Sequence, residues 1–271
     1  QFPVIYGTMT VQDNLAFPLV CRGYDKAFIK AKVAEVSEAL NLEDLLTQSA
    51  NKLTADQKQL ISLGRGLVRD NVAAVLMDEP LTVIDPDLKF RLRRKLKEIN
   101  QKYRSTLIYV THDQNEAMTF AENIIVMDQG NIVQAGTPSE LFDRPKTTFV
   151  GYFIGAPAMN LFACSAVNNT TISFSGAEIV TNTNLEAVAS KNLKLGIRSE
   201  YIKLATASAE NTVSAKVQRV EDLGNHKLVT ADFQGQSIKV KVKREQELPA
   251  ENVFLTIPAQ HCCVYENEHL I

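Results

Sequence analysis

Apolar and polar positions alternate with two different periods along this chain, and the change between them divides it. In "DKAFIKAKVAEVSEALNL" the residues Phe28, Val33, Val36 and Leu40 recur at helical spacing, which predicts one amphipathic helix. "LTADQKQLISLGRG" starts polar and turn-prone and then runs into helix-spaced apolar positions. Thr54 and Gln57 match a capping box at its start. "VAAVLM" and "STLIYV" are short apolar runs of the kind expected of parallel strands buried on both faces. Between them Asp85 is placed to cap a helix that has Pro86 at its first position and Leu88, Leu92, Leu96, Ile99 and Tyr103 down one face. "IIVMDQGNIVQAG" predicts a hairpin turning at Gln129-Gly130. Strand, helix, strand with polar residues at the strand ends is the pattern of an open parallel α/β sheet, whose ligands sit at the carboxyl ends of the strands.

Beyond about residue 150 the texture changes. "NNTTISFSG", "SAKVQRV", "KLVTADF" and "SIKVKVK" read as short alternating strands separated by turn residues, and no long amphipathic helix is predicted there. A small all-β, OB-like barrel is expected. The boundary falls in the Gly- and Pro-bearing "GYFIGAPAMN", giving an α/β domain over 1–152 and a β-barrel domain over 153–271.

The 271 residues suffice for two domains with cores of their own. A formal net charge of -2 with mixed signs argues against nucleic acid as a partner. Cys21, Cys164, Cys262 and Cys263 form no C-x-x-C pair, so reduced thiols in a cytosolic protein are expected, without a cysteine metal site. No apolar run approaches the roughly 18 residues of a membrane span, so a membrane connection is expected through a partner protein.

Candidate chemistry gathers at the strand ends. In "AVLMDEP", Asp78 and Glu79 follow an apolar strand. In a phosphate-handling site the first carboxylate holds Mg²⁺ and the second accepts a proton from the water attacking the γ-phosphate. A solvated strand end is the plain alternative, and the flanking "LxMDEPLxxID" favours the functional one. His112 in "YVTHD" ends the next strand, within reach of the same ligand. Asp85 reads equally as a helix cap and as a ligand contact. The helix start at Thr54 is also an anion site in principle, although Asp56 sets a negative charge where a phosphate approaches.

Taken together these segments resemble the ATP-binding subunits of ABC transporters, in the branch serving sugar and polyol importers, and within it most of all an ATPase of bacterial glycerol importers. "VLMDEP" is similar to the Walker B strand with its catalytic Glu, "LTVID" to the D-loop, "THD" to the switch histidine and "LTADQKQ" to the signature segment. Gln1, ahead of "MTVQDNLAF", stands where the Q-loop Gln is found, and "GYFIGAPAMN" with "LGIRSE" is similar to the joint and a strand of the C-terminal TOBE-type barrel. The resemblance implies ATP and Mg²⁺ as cofactors and a P-loop-type domain with a helical subdomain at about 11–70 and a Walker B core at about 71–152. It implies Asp78 and Gln1 toward the metal, Glu79 as base, and His112 toward the γ-phosphate. Thr54, Ala55, Asp56, Gln57 and Asp85 would face nucleotide, the signature residues facing that of the partner subunit. The implied partners are transmembrane permease subunits, a second ATPase subunit (a different chain or a second copy) and, indirectly, an extracytoplasmic solute-binding protein. The implied place is the cytoplasmic face of the bacterial inner membrane.

Two departures stand out. No G-x-x-x-x-G-K-[ST] occurs in the sequence, and the family's copy lies upstream of its Q-loop, so this chain by itself is expected neither to bind ATP tightly nor to hydrolyse it. In the signature, Ala55 and Asp56 replace two glycines that let backbone approach a phosphate. A non-catalytic regulatory or structural subunit is therefore the alternative function.

Overall fold

The computed structural model describes residues 3–69, 72–82, 84–103, 106–186, 188, 192–249 and 251–271; Gln1 and Val83 lie outside them, as do the side chains of Ile99 and Tyr103. The chain forms two compact units, Gln1–Phe120 and Ala121–Ile271.

In the first unit three helices, α1 (Val11–Val20), α2 (Lys26–Leu40) and α3 (Ala55–Leu67), precede strand β1 (Ala74–Asp78), helix α4 (Pro86–Tyr103), strand β2 (Thr106–Val110) and helix α5 (Gln114–Phe120). Local chemistry sets the helix ends. Asp25 accepts from the Phe28 N–H to start α2, and Asn41, in the left-handed region at φ 54°, ends it. Thr54 and Gln57 form the expected capping box at α3. Leu15, Leu40, Ile61, Leu92 and Leu96 are buried in one core. Gly64 makes the helix contacts possible: a Cβ there would lie 2.5 Å from a Leu15 methyl and 3.1 Å from one of Leu40, so α3 approaches α1 and α2 to backbone distance.

Strands β1 and β2 pair in parallel, Ala74 opposite Thr106 through Asp78 opposite Val110. The expectation of burial on both faces is corrected. Met77 is buried and Val75, Leu107 and Tyr109 pack on the core, whereas Leu76 is 74 % exposed, Val110 53 % and Ile108 47 %. An alternating side-chain direction puts every second residue on the other face, and among the described residues the helices cover one face only.

The second unit opens with the hairpin β3 (Ile124–Asp128) and β4 (Asn131–Gly136), where Gln129 and Gly130 both have positive φ, 47° and 81°, as the tight turn requires. Helices α6 (Pro138–Asp143) and α7 (Thr148–Phe153) lead to strands β5 (Asn160–Ala166), β6 (Thr171–Phe174), β7 (Ala177–Val180), β8 (Leu193–Ile197), β9 (Lys203–Ala205), β10 (Thr212–Asp222), β11 (His226–Phe233), β12 (Gln236–Lys243), β13 (Asn252–Thr256), β14 (Cys263–Glu266) and β15 (His269–Leu270). They build a sheet ordered β12-β11-β10-β13-β9 and another ordered β15-β14-β8-β5-β6-β7. Phe162, Phe174, Ile197, Val229, Val240 and Leu255 share one core, so the all-β unit expected from the sequence as a small OB-like barrel is present. The buried Asn160 amide joins the sheets: it donates to the carbonyls of Ile197 and Lys239 at 3.2 and 2.9 Å and accepts from the Lys239 N–H at 2.8 Å. Arg198, just past β8, is buried and donates to the carbonyls of Phe142, Gly151 and Ile154, which fastens α6 and α7 to the sheet.

Candidate functional site

The parallel register of β1 and β2 places Asp78 opposite Val110, so the residues following each strand emerge side by side. Glu79 comes first. Its φ of 45° is left-handed, a conformation that costs a non-glycine residue on the order of 1 kcal/mol and turns the chain sharply off the strand. The surrounding bonds hold it there: its N–H donates to the Val110 carbonyl at 2.9 Å, and its own carbonyl accepts from the Thr82 N–H at 3.3 Å and the Thr82 hydroxyl at 3.1 Å. The Thr82 hydroxyl also reaches Glu79 Oε2 at 3.2 Å.

Across from it, His112 Nδ1 lies 2.7 Å from Glu79 Oε1. An ionised carboxylate only accepts, so Nδ1 carries the proton in this contact. Each group moves the other. The hydrogen bond from His112 holds the Glu79 carboxyl below its ordinary value, and the hydrogen bond to Glu79, with its charge, raises the imidazole above its own. The His112 side chain is 71 % exposed and that of Glu79 19 %, so the ring projects from the strand end while the carboxylate lies against it. Asp78 is exposed at the end of β1, and among the described residues no hydrogen bond or ion pair engages its carboxylate. Gln59 of α3 donates to the Pro80 carbonyl at 2.9 Å, and a shallow cavity of about 190 Å³ between α3 and β1 is bordered by Gln59, Ser62, Met77 and Asp78.

The remaining sequence-predicted residues lie elsewhere. Thr54, Ala55, Asp56 and Gln57 form a second group at the start of α3, and among the described residues no hydrogen bond or ion pair joins them to Glu79 or His112. There the Thr54 hydroxyl donates to the Asp56 carboxylate, the Thr54 N–H donates to Gln57 Oε1 at 3.0 Å, and its hydroxyl accepts from the Gln57 N–H at 3.5 Å. The helix end thus already holds an anion, its own Asp56. Asp85 accepts from the Asp87 N–H at 3.0 Å and caps α4, the plainer of its two readings. Gln1 lies outside the described residues.

Sequence reasoning missed Thr82 and Glu116. The hydroxyl three residues after Glu79 was a visible signal, since such spacing lets Ser or Thr reach back to the chain. For Glu116 the cue was weaker: Asp113 caps α5, accepting from the N–H groups of Asn115 at 2.8 Å and Glu116 at 3.3 Å, which marks a first-turn carboxylate without showing its burial.

With this geometry in view, known proteins are informative. Residues 195–264 match the TOBE domain. The chain is 38 % identical over 255 residues to the sn-glycerol-3-phosphate import ATP-binding protein UgpC of Vibrio cholerae, covering 94 % of the chain and 68 % of that protein. The protein of that name in Yersinia enterocolitica is 36 % identical over 270 residues, with 97 % and 74 % covered. For Vibrio vulnificus the identity is 39 % over 234 residues, with 86 % and 62 % covered. The chain belongs to the ATP-binding subunits of ABC importers. Glu79 and His112 follow the ends of β1 and β2 and meet there. Among the described residues no helix is long and apolar enough to cross a membrane.

Proposed function

We propose that this chain carries the hydrolytic strand ends of an importer ATPase whose turnover drives uptake of a polyol of the glycerol class through a membrane permease. The relatives' names, which specify sn-glycerol-3-phosphate, support a phosphorylated polyol as the solute. The observation that carries the catalytic reading is the 2.7 Å contact between Glu79 and His112 beside an unengaged Asp78.

The residues divide the work by their chemistry. Asp78 is a hard oxygen donor with no protein partner among the described residues, which fits a Mg²⁺ ion that keeps most of its waters; Mg²⁺ bound with ATP supplies charge neutralisation at the phosphates. Glu79 retains acceptor sites on both oxygens after its contacts with His112 and Thr82, so it can still take a proton from a water. A γ-phosphate oxygen only accepts, so His112 serves it only with a second proton on Nε2. The contact with Glu79 favours that doubly protonated ring.

The working unit we propose pairs this subunit with a second ATPase beneath the permease, at the cytoplasmic face of the membrane. The test uses the full-length subunit assembled with its permease. Glu79→Gln keeps the shape and removes the basicity, so ATP binding persists while turnover falls by about 10²–10⁴-fold. Turnover within a few-fold of the unsubstituted transporter would remove Glu79 as the base.

A further inference from the structure

Glu116 is a buried carboxylate that the hydrolytic reading leaves unused. It is 4 % exposed at the first turn of α5, one turn beyond His112. Four side chains from two other segments converge on it. Lys89 Nζ and Arg93 Nη1, one turn apart on α4, lie 3.7 and 3.6 Å from Oε1. Tyr109 Oη donates to Oε2 at 2.9 Å, and Thr111 Oγ1 donates to the same oxygen at 3.0 Å. Burial, and then the bond to Glu116, pushes the Tyr109 phenol far above its ordinary value, so it remains a donor. Thr111 Oγ1 in turn accepts from the Asp113 N–H at 3.0 Å. Both neighbours of His112 in the chain are thereby tied to one buried group, while the exposed ring itself is held only by Glu79 among the contacts described.

We propose that Glu116 is the positioning residue for His112: through Thr111 it fixes the peptide that carries the imidazole, and through Lys89 and Arg93 it ties that peptide to α4. The physical reason is entropic. A mostly exposed ring on a free loop samples many orientations, and a loop clamped on both sides of it leaves mainly the side-chain torsions. One carboxylate therefore links the loop after β2 to α4, the helix that follows the Glu79 segment. The proposal rests on the reading of His112 as the γ-phosphate contact.

The test separates the link from that reading. The protein has four histidines, His112, His226, His261 and His269, and the last three serve as internal controls. Imidazole nitrogen resonances of the isotope-labelled chain are compared at one fixed pH for Thr111→Val, Thr111→Ser and Glu116→Gln. Thr111→Val removes a hydroxyl and no charge, and it remains informative where Glu116→Gln fails to fold. The expected result is a shifted His112 Nδ1 signal in Thr111→Val and Glu116→Gln, unchanged control signals, and recovery in Thr111→Ser. In the full-length assembled transporter Thr111→Val lowers turnover about tenfold with KM for ATP unchanged, as expected of a misplaced reacting group, and Thr111→Ser restores it. A His112 signal that stays in place in Thr111→Val, or that moves equally in Thr111→Ser, overturns the proposal. Full turnover in His112→Ala, with the resonance shifts present, overturns the reading of His112 and leaves the structural link standing.

Discussion

Glu79 stands in a left-handed backbone conformation that only its surroundings sustain, and its carboxylate meets an imidazole from the neighbouring strand. The opposite shifts of the two groups define a pH window. Glu79, whose carboxyl is held low, contributes stability above its ordinary carboxylate range and loses it as pH falls through its folded value. His112, whose imidazole is raised, contributes stability below its ordinary value and loses it as pH rises through its folded value. The pair is therefore at full strength only between the ordinary carboxylate and imidazole ranges. Glu79→Gln removes the negative partner, so the His112 titration followed by NMR should move downward toward the unperturbed imidazole. A titration that stays in place would show that the contact is not formed in solution. The adjacency of Asp78 and Glu79 and the position of His112 after a strand were legible in the sequence. The contact itself was not, because adjacent strand ends leave the side-chain directions open, and only the folded backbone, with Glu79 left-handed, aims the carboxylate at the imidazole.

At the level of elements, helix ends were the most legible feature, since a cap is a bond between residues two or three apart. The Thr54–Gln57 box and the Asp85 cap follow from local chemistry alone. Thr54→Ala should lower stability by about 1 kcal/mol in denaturant unfolding, through loss of the cap at α3. Burial within strands was less legible. A run such as "VAAVLM" is apolar on both sides, and only the packing decides that Met77 faces a core and Leu76 does not. The same distinction separates two carboxylates that look alike in sequence. Glu116 is buried against Lys89 and Arg93, whereas Glu98 meets Arg94 and Lys95 on an exposed face. Glu116→Ala should cost about 3 kcal/mol, because it leaves cations and hydroxyls without their partner. Glu98→Ala should cost less than about 0.5 kcal/mol, as exposed pairs do. Equal losses would mean that the Glu116 cluster opens in solution.

For the molecule as a whole, the start of α3 bears on assembly. Asp56 holds the Thr54 hydroxyl at the helix end, so a γ-phosphate brought there by a partner would meet a carboxylate already in place. Two like charges about 4 Å apart cost on the order of 4 kcal/mol at an effective dielectric near 20. This subunit is therefore expected to work with a second, different ATPase that presents glycines at that position. Expressed with the permease, the full-length subunit should drive transport poorly alone and well with such a partner. A full rate from the subunit alone would exclude the asymmetric pair, and Asp56→Gly should improve the homodimer if the repulsion is its obstacle.

The sequence by itself determined the change from helical to strand period near residue 150, the caps, the hairpin turn at Gln129-Gly130 and the types of residue at the strand ends. Each rests on interactions between near neighbours in the chain, and those are written in local order. The tertiary structure alone decided the direct contact of Glu79 with His112, the single buried face of β1 and β2, the closure of two sheets around the Asn160 amide, and the gathering of Lys89, Arg93, Tyr109 and Thr111 on Glu116. These join residues whose separation in sequence carries no record of their approach. Only the free energy of the packed whole selects them.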